Sequence, residues 1–374
     1  MTPNLCEALS ICIQARRPVF LWGEPGTAKT AIVESIARSL EERLWTNILS
    51  IREPTDQGGL PLITPDGVVL APPDWAVEIC AEGKGILFWD EFNGAAPTTQ
   101  NSCLRVIQSG IAGSRRLPAA TSHVAAGNPA DTSTGVFDLT SAMANRLVHL
   151  DWHHDIDRWT SGMLSGFVDM SVRRLPEKWE EFEAGKRGLI ASFIRVQPSL
   201  LHVRPTEQSA QGHAWPSPRS WTNTATLLAA ATSLGYSEKS EVTRLLIAGS
   251  VGEPAMVTFN EWFNNLNLPD PEEVLANPLH FQFPAREDQL MAILDSVAAA
   301  ALRRGHPQRK DRFISAWRVV GRIAAKTPDI TVPSARTLGK FLTEIIAPRE
   351  LPSEVKDTLL RVLRDADVYL PTAA

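Results

Sequence analysis

The stretch that decides the fold of this chain is Gly23-Glu24-Pro25-Gly26-Thr27-Ala28-Lys29-Thr30. It matches the phosphate-loop pattern GxxxxGKT with one departure, because Ala28 stands where the pattern has its last glycine. An apolar run at 18–22 precedes it and predicts a buried strand. Residues 29–44 follow it with the spacing of an amphipathic helix. Strand, glycine loop and helix in this order predict a loop that holds phosphate.

The residue types of this stretch specify its expected chemistry. Successive backbone N–H groups at a helix N-terminus form a concavity that suits an anion, and the glycines allow the bends. Lys29 would reach the β- and γ-phosphates of ATP, and the hydroxyl of Thr30 would bind Mg²⁺. The predicted nucleotide contacts are Gly23, Glu24, Pro25, Gly26, Thr27, Ala28, Lys29 and Thr30. The competing interpretation is a glycine turn that contains Lys-Thr by chance.

A second motif, Ile86-Leu-Phe-Trp-Asp90-Glu91, is an apolar strand that ends in two carboxylates. In enzymes with a phosphate loop, a strand-end aspartate helps to hold Mg²⁺, and we expect this of Asp90. A neighbouring glutamate can act as general base on the attacking water, and we expect this of Glu91. A solvated strand end is the alternative if the motif is taken alone.

The first 152 residues continue this alternation of strands and helices. The other predicted strands are 47–52, 121–126 and 146–150. The other predicted helices are 1–16, 74–81 with Asp74 as its N-cap, and 97–110. Two apolar arms around Pro65-Asp66-Gly67 predict a hairpin over 60–71. Strands that alternate with helices imply a parallel α/β sheet.

Composition limits the class of protein. The chain has 374 residues, of which 44% are hydrophobic and 21% charged, and its net charge is −5. These values are ordinary for globular proteins and do not favour non-specific DNA binding. We find neither a signal peptide nor a run of 18 apolar residues, so we expect no membrane insertion. The four cysteines form no CxxC pair, so we expect reduced thiols and a cytoplasmic location.

The pattern changes after Trp152, where helices separated by proline-rich breaks replace the alternation. We therefore predict an α/β nucleotide-binding domain at 1–152, a helical domain at 153–265 and a helical extension of unknown role at 266–374. The segments predicted to be helical are 155–200, 219–235, 238–250, 257–265, 285–304 and 311–326.

Together these motifs resemble the MoxR branch of the AAA+ ATPases, whose phosphate loop also has alanine before the lysine. The hairpin at 60–71 resembles the insert that this branch carries between its second and third strands. The resemblance covers about residues 1–265. It implies an AAA+ P-loop α/β domain with a parallel sheet, followed by an α-helical lid and a helical C-terminal region.

Three further residues take their expected roles from this resemblance. Ala125-Ala-Gly-Asn128-Pro resembles the fourth-strand tip, where Asn128 would be sensor 1 and help Glu91 to orient the water. Arg146 would be an arginine finger, although the family usually has Arg-Phe where this chain has Arg146-Leu147. Arg219, in Pro-Ser-Pro-Arg219-Ser-Trp, would be sensor 2 and contact the γ-phosphate bound by the same chain. A turn, a surface ion pair and a first-turn helix residue are the respective alternatives.

The resemblance also implies an assembly and a partner. Such ATPases form rings, usually of six subunits, with ATP at each subunit boundary, so that Arg146 of one subunit would complete the site of its neighbour. MoxR-like proteins resemble chaperones that act with partners bearing a von Willebrand A domain. The implied function is therefore ATP hydrolysis by a homo-oligomer that remodels a partner protein.

Two other functions stay open. A nucleic-acid motor or restriction-type AAA+ protein would need basic residues in its pore, and the acidic net charge argues against it. The one dense basic stretch, 303–312, is predicted to be a solvated helix end and loop rather than a nucleic-acid contact. A nucleotide-gated scaffold that hydrolyses little is the non-enzymatic alternative.

Overall fold

The computed structural model describes residues 3–129, 135–153, 155–167, 170–206, 212–266, 268–303 and 305–365. The chain divides into two compact units. The first comprises Met1–Leu175, His202–Leu227 and Ser240–Met256, and the second comprises Pro176–Leu201, Leu228–Lys239 and Val257–Ala374. The division into three domains at 152 and 265 stays a prediction.

A parallel sheet of five strands forms the centre of the first unit, as the sequence predicts. The strands along the chain are β1 Val19–Trp22, β2 Leu44–Ile48, β3 Leu60–Thr64, β4 Gly67–Ala71, β5 Gly85–Asp90, β6 Ile111–Ala112, β7 Arg115–Arg116, β8 Thr121–Gly127 and β9 Val148–Asp151. The order in the sheet is β2-β5-β8-β1-β9. β1, β5 and β8 are largely buried, as expected for inner strands of a parallel sheet that is covered on both faces.

Two antiparallel hairpins stand apart from this sheet. β3 pairs with β4 around a turn at Pro65-Asp66, which confirms the hairpin predicted over 60–71. β6 pairs with β7, a short hairpin that the sequence analysis did not identify. Gly59 and Gly113 allow the bases of the two hairpins to approach closely, since a Cβ on Gly59 would lie 2.7 Å from the Cα of Gly113.

The described helices have the following bounds. They are α1 Pro3–Gln14, α2 Lys29–Leu40, α3 Thr55–Gly58, α4 Asp74–Glu82, α5 Pro97–Ser109, α6 Ser141–Ala144, α7 Ile156–Ser165, α8 Glu183–Val196, α9 Pro218–Ser233, α10 Glu241–Val251, α11 Glu253–Asn265, α12 Pro271–Ala276, α13 Glu287–Leu302, α14 Arg309–Ala324, α15 Pro328–Lys340, α16 Leu342–Ile345 and α17 Ser353–Asp365. The sequence analysis did not identify α3, α6, α12, α15, α16 and α17. None of the helices in the described ranges is long and apolar enough to cross a membrane.

Several predicted boundaries in the first unit are wrong. The second strand is Leu44–Ile48 rather than 47–52, because residues 49–51 form a 3₁₀ turn. α2 ends at Leu40 instead of 44, since Glu41 adopts a left-handed φ of 54° and caps the helix. Asp74 is the first residue of α4, and its predicted place as N-cap is taken by Pro73.

Each unit has its own apolar core. In the first unit, Phe20, Trp22, Trp89 and Phe92 belong to one buried cluster at the ends of β1 and β5. Trp22, Trp89 and Phe92 directly precede or follow predicted site residues, so the packed aromatic rings give the site a rigid base. In the second unit, Trp317 of α14 lies fully buried in a cluster built from α12 to α17. Cys6, Cys12, Cys80 and Cys103 form no disulfide with one another.

Candidate nucleotide-binding site

The carboxyl ends of three neighbouring parallel strands bring the sequence motifs together. β1 leads into the stretch 23–30, β5 ends at Asp90, and β8 ends at Gly127, directly before Asn128. These strands lie side by side in the order β5-β8-β1, so the residues that follow them share one edge of the sheet. In open α/β sheets this edge is where ligands bind.

The phosphate loop, residues 23–30, has the backbone that its glycines permit. Gly26 has a φ of 76°, in the left-handed region that favours glycine. Ala28 is also left-handed, with a φ of 65°. The departure from the glycine pattern therefore lies at a position where an L-residue is strained. The backbone N–H of Gly23 donates to the carbonyl of Gly127 at 3.1 Å, which ties the loop to β8.

Lys29 lies at the centre of the predicted site. Its Nζ donates to the carbonyl oxygens of Gly23 and Glu24 at 2.7 and 2.9 Å and to Oδ1 of Asn128 at 3.0 Å. These acceptors use the three donors of an ammonium group. Burial lowers the pKa of Lys29, while Asp90 and Glu91 oppose this shift. The predicted proximity of the phosphate-loop lysine and the acidic motif is therefore present in the fold.

Thr30 and Asp90 form a pair of oxygen ligands suited to Mg²⁺. The Thr30 hydroxyl donates to Oδ2 of Asp90 at 2.6 Å, although the two residues are 60 positions apart. Hydroxyl and carboxylate oxygens are the hard donors that Mg²⁺ prefers, and the ion typically takes few protein ligands beside substrate phosphates and water. The donor set fits a magnesium ion carried by a nucleotide.

Glu91 is held by a residue that the sequence analysis missed. The Ser50 hydroxyl, in the turn after β2, donates to Oε2 of Glu91. Glu91 has a left-handed φ of 51°, and its N–H donates to Oδ1 of Asp90 at 2.9 Å. The sequence could have suggested this contact, because Ser50 lies two residues after β2, the strand that pairs with β5.

Trp152 also contacts the phosphate loop and was not predicted to do so. Its indole N–H donates to the Thr27 carbonyl at 2.7 Å, and its backbone N–H donates to Trp22 at 2.6 Å. A Cβ on Gly23 would lie 2.8 Å from the Trp152 carbonyl oxygen. Gly23 is therefore needed for the close approach of these two segments, in addition to any role at a phosphate.

The two predicted arginines lie together. Arg146 donates through Nη2 to Oε1 of Gln108 at 2.7 Å, and Arg219 donates to Oδ1 of Asn145 at 3.5 Å. Burial and the charge of Arg219 lower the pKa of Arg146. The contacts found for Arg219 in the described residues are with this segment and not with the phosphate loop. Its predicted contact with the γ-phosphate of its own chain stays a prediction.

One family model and two solved structures are similar to parts of this chain. Residues 18–147 match the family model of the AAA domain, dynein-related subfamily. A candidate ATPase from Cytophaga hutchinsonii is 16% identical, with 66% of this chain and 79% of that chain covered and a TM-score of 0.43. A full-length MCM homologue from Methanopyrus kandleri is 17% identical, with 69% of this chain and 54% of that chain covered and a TM-score of 0.36.

The family match and the parallel sheet confirm the predicted fold class. The chain contains an AAA domain with the AAA+ P-loop architecture, and it continues into a helical C-terminal region. AAA domains are in general ATPase domains, so ATP is the ligand class that the site at the sheet edge suggests.

Proposed function

We propose that this chain is an ATP-dependent remodelling ATPase of the MoxR-like type. It would hydrolyse ATP to ADP and phosphate as a homo-oligomeric ring, a hexamer, and act on a partner protein. One observation carries this proposal: Lys29, Thr30, Asp90, Glu91 and Asn128 meet at one sheet edge of an AAA domain. These are the groups that phosphate binding, metal binding and water activation require.

Each group has a distinct task in the proposed hydrolysis. The backbone N–H groups of the phosphate loop and the Lys29 ammonium bind the phosphates. Thr30 and Asp90 would hold Mg²⁺, which supplies charge neutralisation at the phosphoryl group when bound. Glu91 takes the proton of the attacking water, while the Asn128 amide orients that water. Because a carboxylate has two acceptor oxygens, Glu91 can keep the hydrogen bond from Ser50 on Oε2 while Oε1 takes the proton of the water.

Arg146 would act on the site of the neighbouring subunit. Negative charge grows on the phosphoryl oxygens during transfer, and a guanidinium placed there stabilises it. The proximity of Arg219 supports a shared task. Burial and the charge of Arg219 lower the pKa of Arg146, and two neighbouring guanidinium groups provide a positive site for an anion. We therefore extend the proposal to both arginines at the subunit boundary.

The hairpin β3–β4 supports a polypeptide as the substrate rather than nucleic acid. Most of its exposed side chains are apolar, with Ile63 92% and Val68 68% exposed. Residues 60–71 contain Asp66 and no Lys or Arg. A nucleic-acid motor needs cations against the phosphate backbone, and this exposed element offers none.

The dense basic stretch supports the same choice. Among its described residues, Arg312 forms an ion pair with Glu272 and donates to the Ala300 carbonyl at 2.7 Å. Lys310 pairs with Glu350 at 2.6 Å, and Arg309 pairs with Glu344 at 3.0 Å. Arg304 lies outside the described residues. Because carboxylates of the same chain already neutralise these cations, the stretch is a poor surface for a polyanion.

The test of this proposal is ATP turnover by the purified chain and two variants. Lys29→Ala should lose ATP binding, because the phosphates lose their cation. Glu91→Gln should keep ATP binding and lower kcat at least about 100-fold, because the amide cannot take the proton of the water. If Glu91→Gln hydrolyses ATP at the wild-type rate, the proposed mechanism is wrong.

The choice of substrate is tested separately. Single-stranded and duplex DNA or RNA should leave the ATPase rate unchanged, whereas stimulation would favour the motor. Affinity capture with Glu91→Gln and ATP should retain a partner protein, and we propose a von Willebrand A domain partner in the cytoplasm. The same capture with Lys29→Ala should not retain this protein, because that variant does not bind ATP. The comparison distinguishes ATP-dependent capture from non-specific adhesion.

A further inference from the structure

Asn93 is a buried side chain beside the nucleotide site. It lies in the 3₁₀ turn Phe92–Gly94, two residues after Glu91, and is 1% exposed. Its amide makes two hydrogen bonds to a single residue. Nδ2 donates to the Asn128 carbonyl oxygen at 2.7 Å, and Oδ1 accepts from the Asn128 backbone N–H at 3.0 Å. The side-chain amide of Asn93 therefore bonds both the N–H and the carbonyl of Asn128, as a residue of a neighbouring β-strand would.

These two bonds fix the backbone on both sides of Asn128. The N–H belongs to the peptide group before its Cα, and the carbonyl belongs to the peptide group after it. Rotation about either backbone dihedral would break one of the bonds. Both bonds are partly buried, so that losing one of them leaves a polar group of the buried Asn93 side chain without its partner. The direction of the Cα–Cβ bond of Asn128 is thus set by the Asn93 amide.

The surroundings leave little freedom for another arrangement. A Cβ on Gly127 would lie 2.3 Å from Oδ1 of Asn93 and 2.6 Å from Cζ of Phe20. Only glycine at 127 allows the Asn93 amide to approach the chain this closely. The carbonyl of Asn93 also accepts from the backbone N–H of Phe137 at 2.7 Å, which anchors Asn93 itself.

We infer that Asn93 is a positioning residue for ATP hydrolysis, which acts through Asn128. The Asn128 side chain meets Nζ of Lys29 at 3.0 Å, so its orientation is coupled to the phosphate loop. Asn93 thereby keeps the side-chain amide of Asn128, which would orient the water, in its position beside Lys29. This inference rests on the proposed ATPase function. It predicts an effect on the rate of the chemical step rather than on nucleotide binding, since Asn93 does not contact the phosphate loop itself.

The first experiment compares Asn93→Ala with the wild-type full-length chain. Mg²⁺–ATP affinity should change by less than about threefold, because the loop and Lys29 remain. The value of kcat should fall about 10- to 100-fold, the range in which a displaced catalytic group reduces rates. A thermal unfolding curve reports how much of the loss is structural.

A double-mutant cycle separates positioning from general destabilisation. Asn128→Ala alone should be slow, and adding Asn93→Ala to it should lower kcat by less than about twofold, since the group being positioned is already gone. A residue with only a structural role would reduce the rate in both backgrounds. Equal reductions in the two backgrounds would overturn the inference.

Gln100→Ala is the matched control. Gln100 is another buried amide, 1% exposed, whose Nε2 donates to the Ala95 carbonyl at 3.0 Å. Its removal should lower the unfolding temperature to a similar degree and leave kcat within about twofold of wild type. If Asn93→Ala does not fold, Asn93→Asp keeps the shape and the acceptor for the Asn128 N–H and removes the donor to its carbonyl. Its kcat should also fall at unchanged affinity.

The possible outcomes distinguish this inference from the proposed function. If Asn93→Ala and Asn93→Asp hydrolyse ATP like wild type while Asn128→Ala is slow, the inference is wrong and the function stands. The inference is also wrong if Asn128→Ala keeps the full rate. If the wild-type chain binds Mg²⁺–ATP and does not hydrolyse it, both are wrong.

Discussion

Ala28 determines how much backbone strain the phosphate loop stores. Its φ of 65° and ψ of 30° lie in the left-handed region, which costs an L-residue about 1–2 kcal/mol. In the structure the penalty is conformational, because the Cβ of Ala28 approaches the neighbouring carbonyl in this conformation.

Ala28→Gly should therefore stabilise the protein. We expect an increase of about 1 kcal/mol in the free energy of unfolding, measured by urea denaturation without nucleotide. Ala31→Gly is the control, because Ala31 is an exposed residue inside α2 where glycine costs about 1 kcal/mol. Alanine to glycine should therefore raise the free energy of unfolding at position 28 and lower it at position 31. A destabilised Ala28→Gly would show that the loop is not strained at this residue.

At the scale of elements, His149 joins two strands and a helix. On β9, its Nδ1 accepts from the Trp22 indole N–H at 2.9 Å, so the ring proton lies on Nε2 and donates to the Ala144 carbonyl at 2.9 Å. Burial lowers the pKa of His149 to about 4, with a smaller effect from His213. Burial and Arg16 likewise lower the pKa of His123 on β8 to about 4.

Both histidines should make the fold sensitive to acid. Their pKa is about 4 in the folded chain and 6.5 as the ordinary value, so the unfolded chain binds more protons between these pH values. The stabilisation is complete above pH 6.5 and is lost as the pH falls towards 4, on the order of 3 kcal/mol for each histidine. The free energy of unfolding should decrease as the pH is lowered across this range. The decrease should be less steep in His149→Gln than in the wild-type chain. An equal slope in that variant would contradict the assignment.

Lys186 connects three segments of the second unit through buried ion pairs. From α8, its Nζ contacts Asp295 of α13 at 2.6 Å and Glu238 at 2.5 Å, and the lysine side chain is 1% exposed. Burial alone would lower the pKa of Lys186, but the two carboxylates outweigh it and raise the pKa. Gly185 makes room for this contact, since a Cβ there would lie 2.0 Å from Oδ1 of Asp295.

Lys186→Met should destabilise the fold by about 3–5 kcal/mol, because it leaves two buried carboxylates without a cation. Lys310→Met provides the comparison, since the Lys310–Glu350 pair is about half exposed on both sides. Its loss should cost less than about 1 kcal/mol. Chemical denaturation at neutral pH measures both. Similar losses of unfolding free energy in the two variants would contradict a special electrostatic role for the buried Lys186.

At the scale of the assembled molecule, the proposed ring can be tested by mixing two inactive variants. Arg146→Ala keeps Glu91, and Glu91→Gln keeps Arg146. If Arg146 acts across a subunit boundary, an equimolar mixture that exchanges subunits contains sites with both groups intact. A head-to-tail interface would give about one intact site in four, and hence about a quarter of the wild-type ATPase rate.

The control for this mixture is each variant alone, where the rate should stay near zero. An Arg146 that served its own chain would give no recovery on mixing, because no chain then carries both groups. Sedimentation of the mixture with Mg²⁺–ATP checks that rings form in every sample. Full activity of Arg146→Ala alone would show that Arg146 is not an arginine finger.

The sequence by itself determined the AAA+ P-loop fold and much of the candidate site. The motifs at 23–30 and 86–91 each have a local cause: a strand, a bend that glycine permits and a helix or strand end. Parallel strands place such motifs at one edge, so the meeting of Thr30 with Asp90 followed from topology. Asn128 next to Lys29 followed in the same way.

The tertiary structure alone decided how the site residues are held. Three hydrogen bonds join residues that are far apart in sequence and belong to no local pattern. They link Ser50 to Glu91, Asn93 to Asn128 and Trp152 to Thr27. Hydrogen-bond partners of this kind depend on which strands become neighbours and on their register. A one-dimensional pattern does not contain that information, whereas the parallel order β2-β5-β8-β1-β9 does.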